Sequence, residues 1–560
     1  MTLRKLWLGI GSIVLSGAFL PEVAHSLEKS VGRQGIDALR LQAKPYNLTG
    51  KGIYIGQVEL SRPSQFGIDK IVNRLVNLNR YYVQPYEVFF RDSKAVPNKN
   101  IDEHSGQVAA VMISRHKIQT GVAPLARLVS SAYSERRKDG QPEAAIAAQY
   151  LALQYQGALR AINFSFGEPL SADSRTRPKL DGNALLTLTV DWLANQYQVL
   201  PVIAGNQGRG GIPIPTDTYN GIVVGFTREQ DGAYTIADRA NLIDEPFYDR
   251  NNNGQYDEGE HFTDLNKDGK WTPAVESPTN NRRSLALLAP GNNILVPNNQ
   301  GKVISASGTS FASPHVVGVI ALLHEYIERQ IADKKWGVDA RRPEVTKAVL
   351  INSADKIADT GDGKLLGMTK TIYDADGKTW LESDAAKDQS IPLSLALGAG
   401  QLNAYRAYLQ LQAGQQFPGL VKAMGWDSQI LANNQFRDYV FEQPLLAGSY
   451  VSATLTWHRQ VFLRDKNDNR RYDIGEDFAG APINNLDLYL MREQDEDISQ
   501  SIWSSVSQVD NTEHIFIPVP TTGRYKLRVV FQNGNNPVAV QRYAIAWWAV
   551  PANKPLQADK

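Results

Sequence analysis

The stretch of the chain best suited to chemistry is residues 305–323, with a small polar first half (SASGTSFASPH) and an apolar second half. The pattern predicts a helix that begins near Ser310, because Gly308 and Thr309 allow a sharp turn and Pro314 is tolerated in a first helical turn. Such a serine lies at the positive end of the helix dipole, where backbone N–H groups can stabilise an oxyanion. Ser310 is therefore a candidate nucleophile, although the pattern also fits a serine that only caps the helix.

Three further side chains could serve this nucleophile. Glu59 stands at the carboxyl end of a predicted buried strand over 53–59, and active sites in open α/β sheets form at that end of the strands. His104 precedes a helix of small residues, and Asn206 lies between glycines after another predicted strand, where a ligand can approach. Taken singly, Glu59 also fits a solvated strand end, and His104 a helix cap.

Seven segments, in order along the chain, resemble motifs of the subtilisin-like serine proteases. The segment GTSFASP (308–314) is similar to the nucleophile motif, HSGQVA (104–109) to the histidine motif, and AGNQG (204–208) to the oxyanion asparagine motif. The other matches are INFSFG (162–167), GVAP (121–124), APG (289–291) and GQLNA (400–404). The resemblance spans residues 31–410 and implies an α/β fold with a mostly parallel sheet flanked by helices.

The resemblance also implies a reaction. His104 would remove the proton of Ser310, which attacks the scissile carbonyl of a polypeptide substrate, while Asn206 and the N–H of Ser310 bind the oxyanion. The implied activity is that of a serine endopeptidase. The residues implied to bind substrate are Phe164, Ser165, Phe166, Gly167 and Gly205.

Two departures from the family pattern favour a second hypothesis. Glu59 stands where the family usually has Asp, and Ser105 and Gly106 stand where the histidine motif usually has Gly and Thr. A glutamate can orient His104 if the backbone or the histidine moves to absorb one extra methylene. The alternative function is a catalytically weak or inactive protein that binds polypeptides or cell-surface ligands.

Three polar loops resemble calcium-binding loops. Loop A (249–260, DRNNNGQYDEGE) fits the pattern D-x-[DN]-x-[DN]-G-x5-E in full; loop B (465–476) has Arg470 in place of the glycine; loop C begins at 264–269 without an acid at its twelfth position. The predicted calcium ligands are Asp249, Asn251, Asn253, Gln255, Asp257, Glu260, Asp264, Asn266, Asp268, Asp465, Asn467, Asn469, Asp473 and Glu476. Each loop also fits a plain polar turn, and bound calcium would be structural.

The composition is that of a soluble globular protein, with 42% hydrophobic and 21% charged residues. The net charge of +1 gives no electrostatic reason to expect a nucleic-acid partner. Residues 1–26 combine Arg4 and Lys5, an apolar stretch and small residues near a cleavage site, which predicts a secretory signal peptide; an uncleaved membrane anchor is the alternative. We therefore expect a secreted, periplasmic or cell-envelope protein without a stable membrane span after cleavage.

The length of 560 residues predicts two domains. We expect a catalytic domain over 27–410 with a calcium-loop insertion near 249–276, a connector over 411–435, and a C-terminal antiparallel β-sandwich over 436–550. The segments NLDLYL (485–490) and DNTE (510–513) resemble the jelly-roll domain that follows some subtilisin-like catalytic domains. With no cysteine, the loops of an exported protein must be held by packing or metal, and we expect a monomer.

Overall fold

The fold was analysed in a computed structural model, which describes residues 27–69, 83–117, 119–134, 140–207, 213–230, 232–237, 245–254, 256–264, 269–271, 280–298, 302–532 and 539–552. The predicted signal peptide (1–26) lies outside the described residues, as do the predicted calcium ligands Gln255, Asn266 and Asp268. No helix within the described ranges has the length and hydrophobicity needed to cross a membrane.

The first part of the chain alternates strands and helices. Its strands are β1 (Tyr54–Glu59), β2 (Glu87–Phe90), β3 (Ser93–Lys94), β4 (Arg127–Ala132), β5 (Leu159–Phe164), β6 (Leu200–Ala204), β7 (Ile222–Gln230), β8 (Ala233–Ile236), β9 (Leu285–Pro290), β10 (Ile294–Pro297), β11 (Val303–Ala306) and β12 (Ile372–Tyr373). Its helices are α1 (Leu27–Val31), α2 (Ala38–Gln42), α3 (Glu103–Ile113), α4 (Gly140–Leu153), α5 (Leu185–Tyr197), α6 (Thr309–Ala332), α7 (Pro343–Asn352) and α8 (Ala404–Gln412). Short 3-10 helices cover Gln154–Gln156, Leu170–Ala172, Val338–Arg341 and Trp380–Glu382.

One ten-stranded sheet organises this part, in the order β12-β8-β7-β6-β5-β1-β4-β2-β3, with β9 also paired to β7. Strands β2, β4, β1, β5, β6 and β7 run parallel to their neighbours, whereas β3 and β8 are antiparallel additions. The carboxyl ends of β1, β5 and β6 therefore meet at one edge. The predicted mostly parallel α/β sheet is confirmed.

The helices that matter for the site pack on one face of this sheet. Helix α3 has the small residues Val108, Ala109 and Ala110 fully buried, and helix α6 has an apolar run that is buried as far as Ile327. Small side chains let α3 approach both the sheet and α6 closely, and the buried apolar area supplies the main stabilisation of this layer. The helix starts that carry His104 and Ser310 are thereby brought to the same edge of the sheet.

The C-terminal part is built mainly from antiparallel strands, with one parallel pair. They are β13 (Gly419–Val421), β14 (Met424–Ala432), β15 (Phe436–Phe441), β16 (Tyr450–Trp457), β17 (Val461–Arg464), β18 (Asp477–Gly480), β19 (Leu486–Arg492), β20 (Trp503–Ser505), β21 (Thr512–Pro518), β22 (Tyr525–Phe531) and β23 (Val540–Trp548), with a 3-10 helix at Ile498–Gln500. A five-stranded sheet (β13-β15-β22-β19-β20) faces a four-stranded sheet (β14-β23-β16-β21) across a shared apolar core. The predicted β-sandwich is thus observed.

The segment that we predicted as a connector (411–435) differs from the prediction. Strand β14 pairs along its whole length with β23, and β13 pairs with β15, so both belong to the sandwich. The physical reason is long-range pairing: the partner strand β23 lies more than a hundred residues away, and its register is not visible in the local sequence.

The two parts share a polar and apolar contact surface. Thr456 of β16 donates to the backbone oxygen of Glu344 in α7 (2.9 Å), and Trp426 of β14 lies in the same apolar cluster as α7 and α8. The hairpin β17–β18 reaches over α5, where the rings of Phe478 and Trp192 lie 5.3 Å apart. Loop B is the connection of this hairpin, and so a loop of the C-terminal part lies against the first part.

Candidate active site

Glu59 is the last residue of β1 and lies beside Ala132, the last residue of β4. Glu59 is only 2% exposed, as the last residue of a strand that is buried from Ile55 onward. The predicted position at the carboxyl end of a strand is therefore the one observed, but the carboxylate is not a solvated strand end. A buried carboxylate needs a partner, since burial disfavours the charged form.

His104 supplies that partner from the first turn of α3. Asp102 caps this helix, its side chain accepting the N–H of Ser105 at 2.7 Å. The cap sets where α3 begins, and with it the direction of the His104 side chain. His104 Nδ1 lies 3.6 Å from Glu59 Oε2, and the imidazole stays 42% exposed. Nδ1 faces the carboxylate, which leaves Nε2 for a group on the open side.

The pair is electrostatically coupled. Burial acts to lower the pKa of His104, but the charge and the hydrogen-bonding capacity of Glu59 outweigh it, so this pKa stands above its usual value. Burial raises the pKa of Glu59, and the neighbouring His104 acts against that rise. An acid that raises the pKa of an adjacent imidazole also stabilises the imidazolium that a general base becomes.

Ser310 lies in the first turn of α6, which begins at Thr309. Gly308 precedes the helix with φ of 145°, and a Cβ there would lie 2.8 Å from the side-chain oxygen of Gln207. The φ value favours glycine at this turn, and a larger residue would also displace the end of the Gln207 side chain. The hydroxyl of Ser310 donates to the backbone oxygen of Ser165 (3.2 Å) rather than capping the helix, and Gln207 Oε1 accepts the N–H of Thr309 instead (2.8 Å).

Asn206 follows β6 and is held between two anchored neighbours. Before it, the N–H of Gly205 donates to the backbone oxygen of Val224, and the backbone oxygen of Gly205 accepts the Thr309 hydroxyl at 2.7 Å. After it, Gln207 holds the start of α6. The Asn206 side chain is 1% exposed, and its loop is thus tied directly to the turn that carries Ser310. The sequence pattern did not single out Gln207, whose only signal was its place between Asn206 and a glycine.

The residues predicted to bind substrate at the end of β5 make two different kinds of contact. Ser165 Oγ donates to the backbone oxygen of Ser310 (3.0 Å) and lies 3.1 Å from Ser313 Oγ, so it joins β5 to α6. Phe164 is fully buried and Phe166 is 6% exposed, and their rings pack in the core behind the sheet. We therefore assign Phe164 to the support of this segment. Gly167 continues the same segment next to Phe166.

Loops A and B have left-handed residues at the same positions of their described parts, although more than two hundred residues separate them. Arg470 has φ of 62° and Gly254, at the equivalent sixth position, has φ of 74°. The eleventh positions also agree, with Gly259 at 94° and Gly475 at 95°. Arg470 thus takes the left-handed conformation that the pattern reserves for glycine. The missing glycine therefore does not prevent loop B from turning at its sixth position as loop A does.

The side chains of both loops converge in the same way. In loop A, Glu260 accepts the N–H groups of Arg250 (2.8 Å) and Asp257 (3.1 Å). In loop B, Glu476 accepts those of Lys466 (2.7 Å) and Asp473 (2.9 Å). The third- and fifth-position asparagines, which are Asn251, Asn253, Asn467 and Asn469, donate to the ninth-position aspartate of their own loop. The first-position residues Asp249 and Asp465 accept the N–H of the sixth position.

This oxygen-rich set fits what calcium requires in a twelve-residue loop. In loop C, Asp264 accepts the N–H of Gly269 at 2.9 Å, which repeats the first contact of loops A and B. Among the described side chains, however, no group of three or more Asp, Glu or His residues is arranged closely enough to hold a metal ion. Two of the five converging side chains in each loop are asparagines, so the loops would bind through amide as well as carboxylate oxygens.

Comparison with known proteins gives the site its context. The model of the Subtilase family of peptidases matches residues 76–369, just over half of the chain, a range that contains His104, Asn206 and Ser310 and begins after Glu59. Among solved structures, the chain is similar to the prenylagaramide maturation protease PagA, with 19% identity, coverage of 66% of this chain and 97% of that chain, and a TM-score of 0.39. MycP1 with its N-terminal propeptide removed matches at 15% identity, 67% and 96% coverage and a TM-score of 0.38. The patellamide maturation protease PatA matches at 20% identity, 65% and 97% coverage and a TM-score of 0.38.

Proposed function

The chain belongs to the Subtilase family and is a serine endopeptidase, and from this premise we propose that Ser310 is the nucleophile, His104 the general base and Glu59 the acid that orients His104. Asn206 is proposed to bind the oxyanion. Polypeptides are the substrates.

In the proposed reaction, the Ser310 hydroxyl turns from Ser165 towards His104 Nε2 and gives up its proton as Oγ attacks the scissile carbonyl. The new C–O bond gives a tetrahedral oxyanion, which is met by the Asn206 amide and the N–H of Ser310. His104, now an imidazolium beside Glu59, returns the proton to the leaving amine. Water then hydrolyses the acyl-serine by the same steps in reverse order.

The observation that carries this proposal is the Glu59–His104 contact at 3.6 Å beside the helix start that bears Ser310. The ring of His104 lies 5.9 Å from the ring of Phe311, the residue after Ser310, which supports the closeness of the base and the nucleophile. The test is labelling with a fluorophosphonate probe followed by mapping of the modified peptide. We expect the label on Ser310; a folded, calcium-loaded protein that takes no label would favour the alternative of an inactive polypeptide-binding protein.

Replacing Asn206 with leucine is expected to lower kcat by about 10²- to 10³-fold, because one preorganised oxyanion donor is lost. KM should change little, since the amide acts mainly on the charge that develops in the transition state. Steady-state kinetics on a peptide amide substrate provide the measurement. A matched control is Asn195→Leu on α5, away from the site, which also removes a hydrogen-bonded amide, here one that donates to the backbone oxygen of Arg459 (2.6 Å). An unchanged kcat in Asn206→Leu would remove Asn206 from the oxyanion site.

We further propose that loops A and B bind calcium, with loop C as a third site through Asp264. The proposal is supported by the shared loop conformation and the converging oxygens. In loop B, Tyr472 exchanges backbone hydrogen bonds with the side chain of Gln149 on α4, at 2.5 and 3.1 Å. Calcium in loop B would therefore fix the hairpin β17–β18 against the first part of the chain, and its role would be structural.

Removing calcium is expected to lower the melting temperature. A ligand at a hundred times its Kd stabilises the folded state by about 2.7 kcal/mol per site, and a chelator removes that contribution. Differential scanning calorimetry with excess chelator, and then with added calcium or magnesium, provides the measurement. Glu260→Gln and Glu476→Gln should each reduce the effect of the chelator. A melting temperature that does not respond to chelator would contradict calcium binding.

Export, cleavage after residue 26 and a monomeric state remain predictions, and we propose them together with the activity. Export and cleavage are supported by the basic and apolar N-terminal segment of the sequence.

A further inference from the structure

Gln57 is a polar residue in the middle of the buried strand β1. It is fully buried and stands two residues before Glu59, so both side chains point to the same face of the sheet. Its amide nitrogen donates to the backbone oxygen of Ser105 at 3.0 Å. Ser105 directly follows His104 in α3. One side chain of β1 therefore holds the helix turn that carries the base, while another side chain of β1 contacts the base itself.

The neighbouring strand ties the second helix start in a comparable way. Asn163 of β5 lies in register with Gln57, and its amide donates to Ser165 Oγ at 2.8 Å. Ser165 in turn donates to the backbone oxygen of Ser310. The starts of α3 and α6 are thus each connected to the sheet through a buried amide from one row of the sheet.

The hydrogen bond from Gln57 to the backbone oxygen of Ser105 contributes little to the stability of the fold. The amide oxygen of Gln57 is buried and accepts no hydrogen bond from the part of the chain that the structure describes. The oxygen of Ser105 also lies inside a helix, where it faces the N–H four residues further on. Replacing Gln57 with an apolar side chain would therefore remove one unsatisfied oxygen without leaving Ser105 unpaired, although it would also remove the contact by which Gln57 lowers the pKa of Glu59.

We propose that Gln57 is a positioning residue, which holds the first turn of α3 at the distance from β1 that the Glu59–His104 contact needs. The 3.6 Å contact between Glu59 and His104 depends on the spacing between the strand and the helix start, because the two side chains come from different elements. A side chain that spans from β1 to Ser105 sets that spacing. This inference rests on the proposed roles of Glu59, His104 and Ser310.

The test compares Gln57→Leu and Gln57→Met with the wild-type full chain on a peptide amide substrate. We expect kcat to fall by about 10- to 100-fold, the loss typical of a displacement near 1 Å, with KM little changed. The acid limb of the kcat/KM profile should move to lower pH, because a looser Glu59 contact raises the pKa of His104 less. Asp102 is the other charged group that acts on His104, and it remains in both variants. The melting temperature should not fall.

Ser130→Ala is the matched control. Ser130 lies beside Gln57 on β4, and its hydroxyl makes no hydrogen bond within the described chain, so kcat should stay at the wild-type value. The inference is overturned if either Gln57 variant keeps the wild-type kcat and acid limb. It is also overturned if activity falls only together with the melting temperature while the acid limb stays in place. A wild-type protein without activity, or Ser310→Ala with full activity, would instead refute the proposed function.

Discussion

Ser310→Ala is expected to lower kcat by roughly 10⁶-fold, a loss of about 8 kcal/mol in transition-state stabilisation. The reason is that the acyl-enzyme route disappears altogether, and only substrate binding and the oxyanion donors remain. The fold should be unaffected, because within the described residues the Ser310 hydroxyl donates to the oxygen of Ser165 and does not cap α6. The measurement is kcat on a peptide amide substrate, with fluorophosphonate labelling as a second readout.

The matched control is Ser305→Ala, five residues earlier and exposed on β11. It should keep the wild-type kcat and still be labelled at Ser310. If Ser310→Ala retained more than a small fraction of the wild-type activity, Ser310 would not be the nucleophile and the proposed mechanism would be wrong.

Glu59→Gln has the second largest expected effect, a fall in kcat of about 10⁴-fold. The amide keeps the size of the side chain but lacks the negative charge that stabilises the imidazolium, and it can donate to Nδ1 and so favour the wrong tautomer of His104. His104 must be neutral to act as base, so activity rises with pH through its pKa. Because Glu59 raises that pKa and burial opposes the rise, the variant should show an acid limb at lower pH and a far lower plateau.

Two further substitutions identify which carboxylate is responsible. Glu59→Asp should lose about 10- to 100-fold in kcat, since the shorter side chain opens the 3.6 Å contact by roughly one methylene. Asp102→Asn should have a small effect, because an asparagine still accepts the N–H of Ser105 and caps α3. The opposite result, a large loss in Asp102→Asn and a small one in Glu59→Gln, would transfer the role of the acid to Asp102.

Loops A and B are features that the local sequence predicts correctly as loops. Ligand spacing predicted both loops, and their described residues are left-handed at the same positions, including Arg470, which the pattern did not favour. A twelve-residue loop is held by contacts within itself, such as those of Glu476 with Lys466 and Asp473. Its conformation is therefore determined by residues that are close in the sequence. The strand predicted over 53–59 is likewise observed, as β1 (Tyr54–Glu59), because a short run of apolar residues is a local signal.

The sequence by itself therefore determined the elements, the family resemblance and the positions of Glu59, His104, Asn206 and Ser310 at the ends of strands and the starts of helices. Only the tertiary structure decided which of these meet. The Gln57–Ser105 bond joins residues 48 positions apart, and the pairing of β14 with β23 turned a predicted connector into part of the sandwich. Such contacts depend on sheet register and on how helices pack across it, which are set by the packing of distant segments and leave no pattern in neighbouring residues.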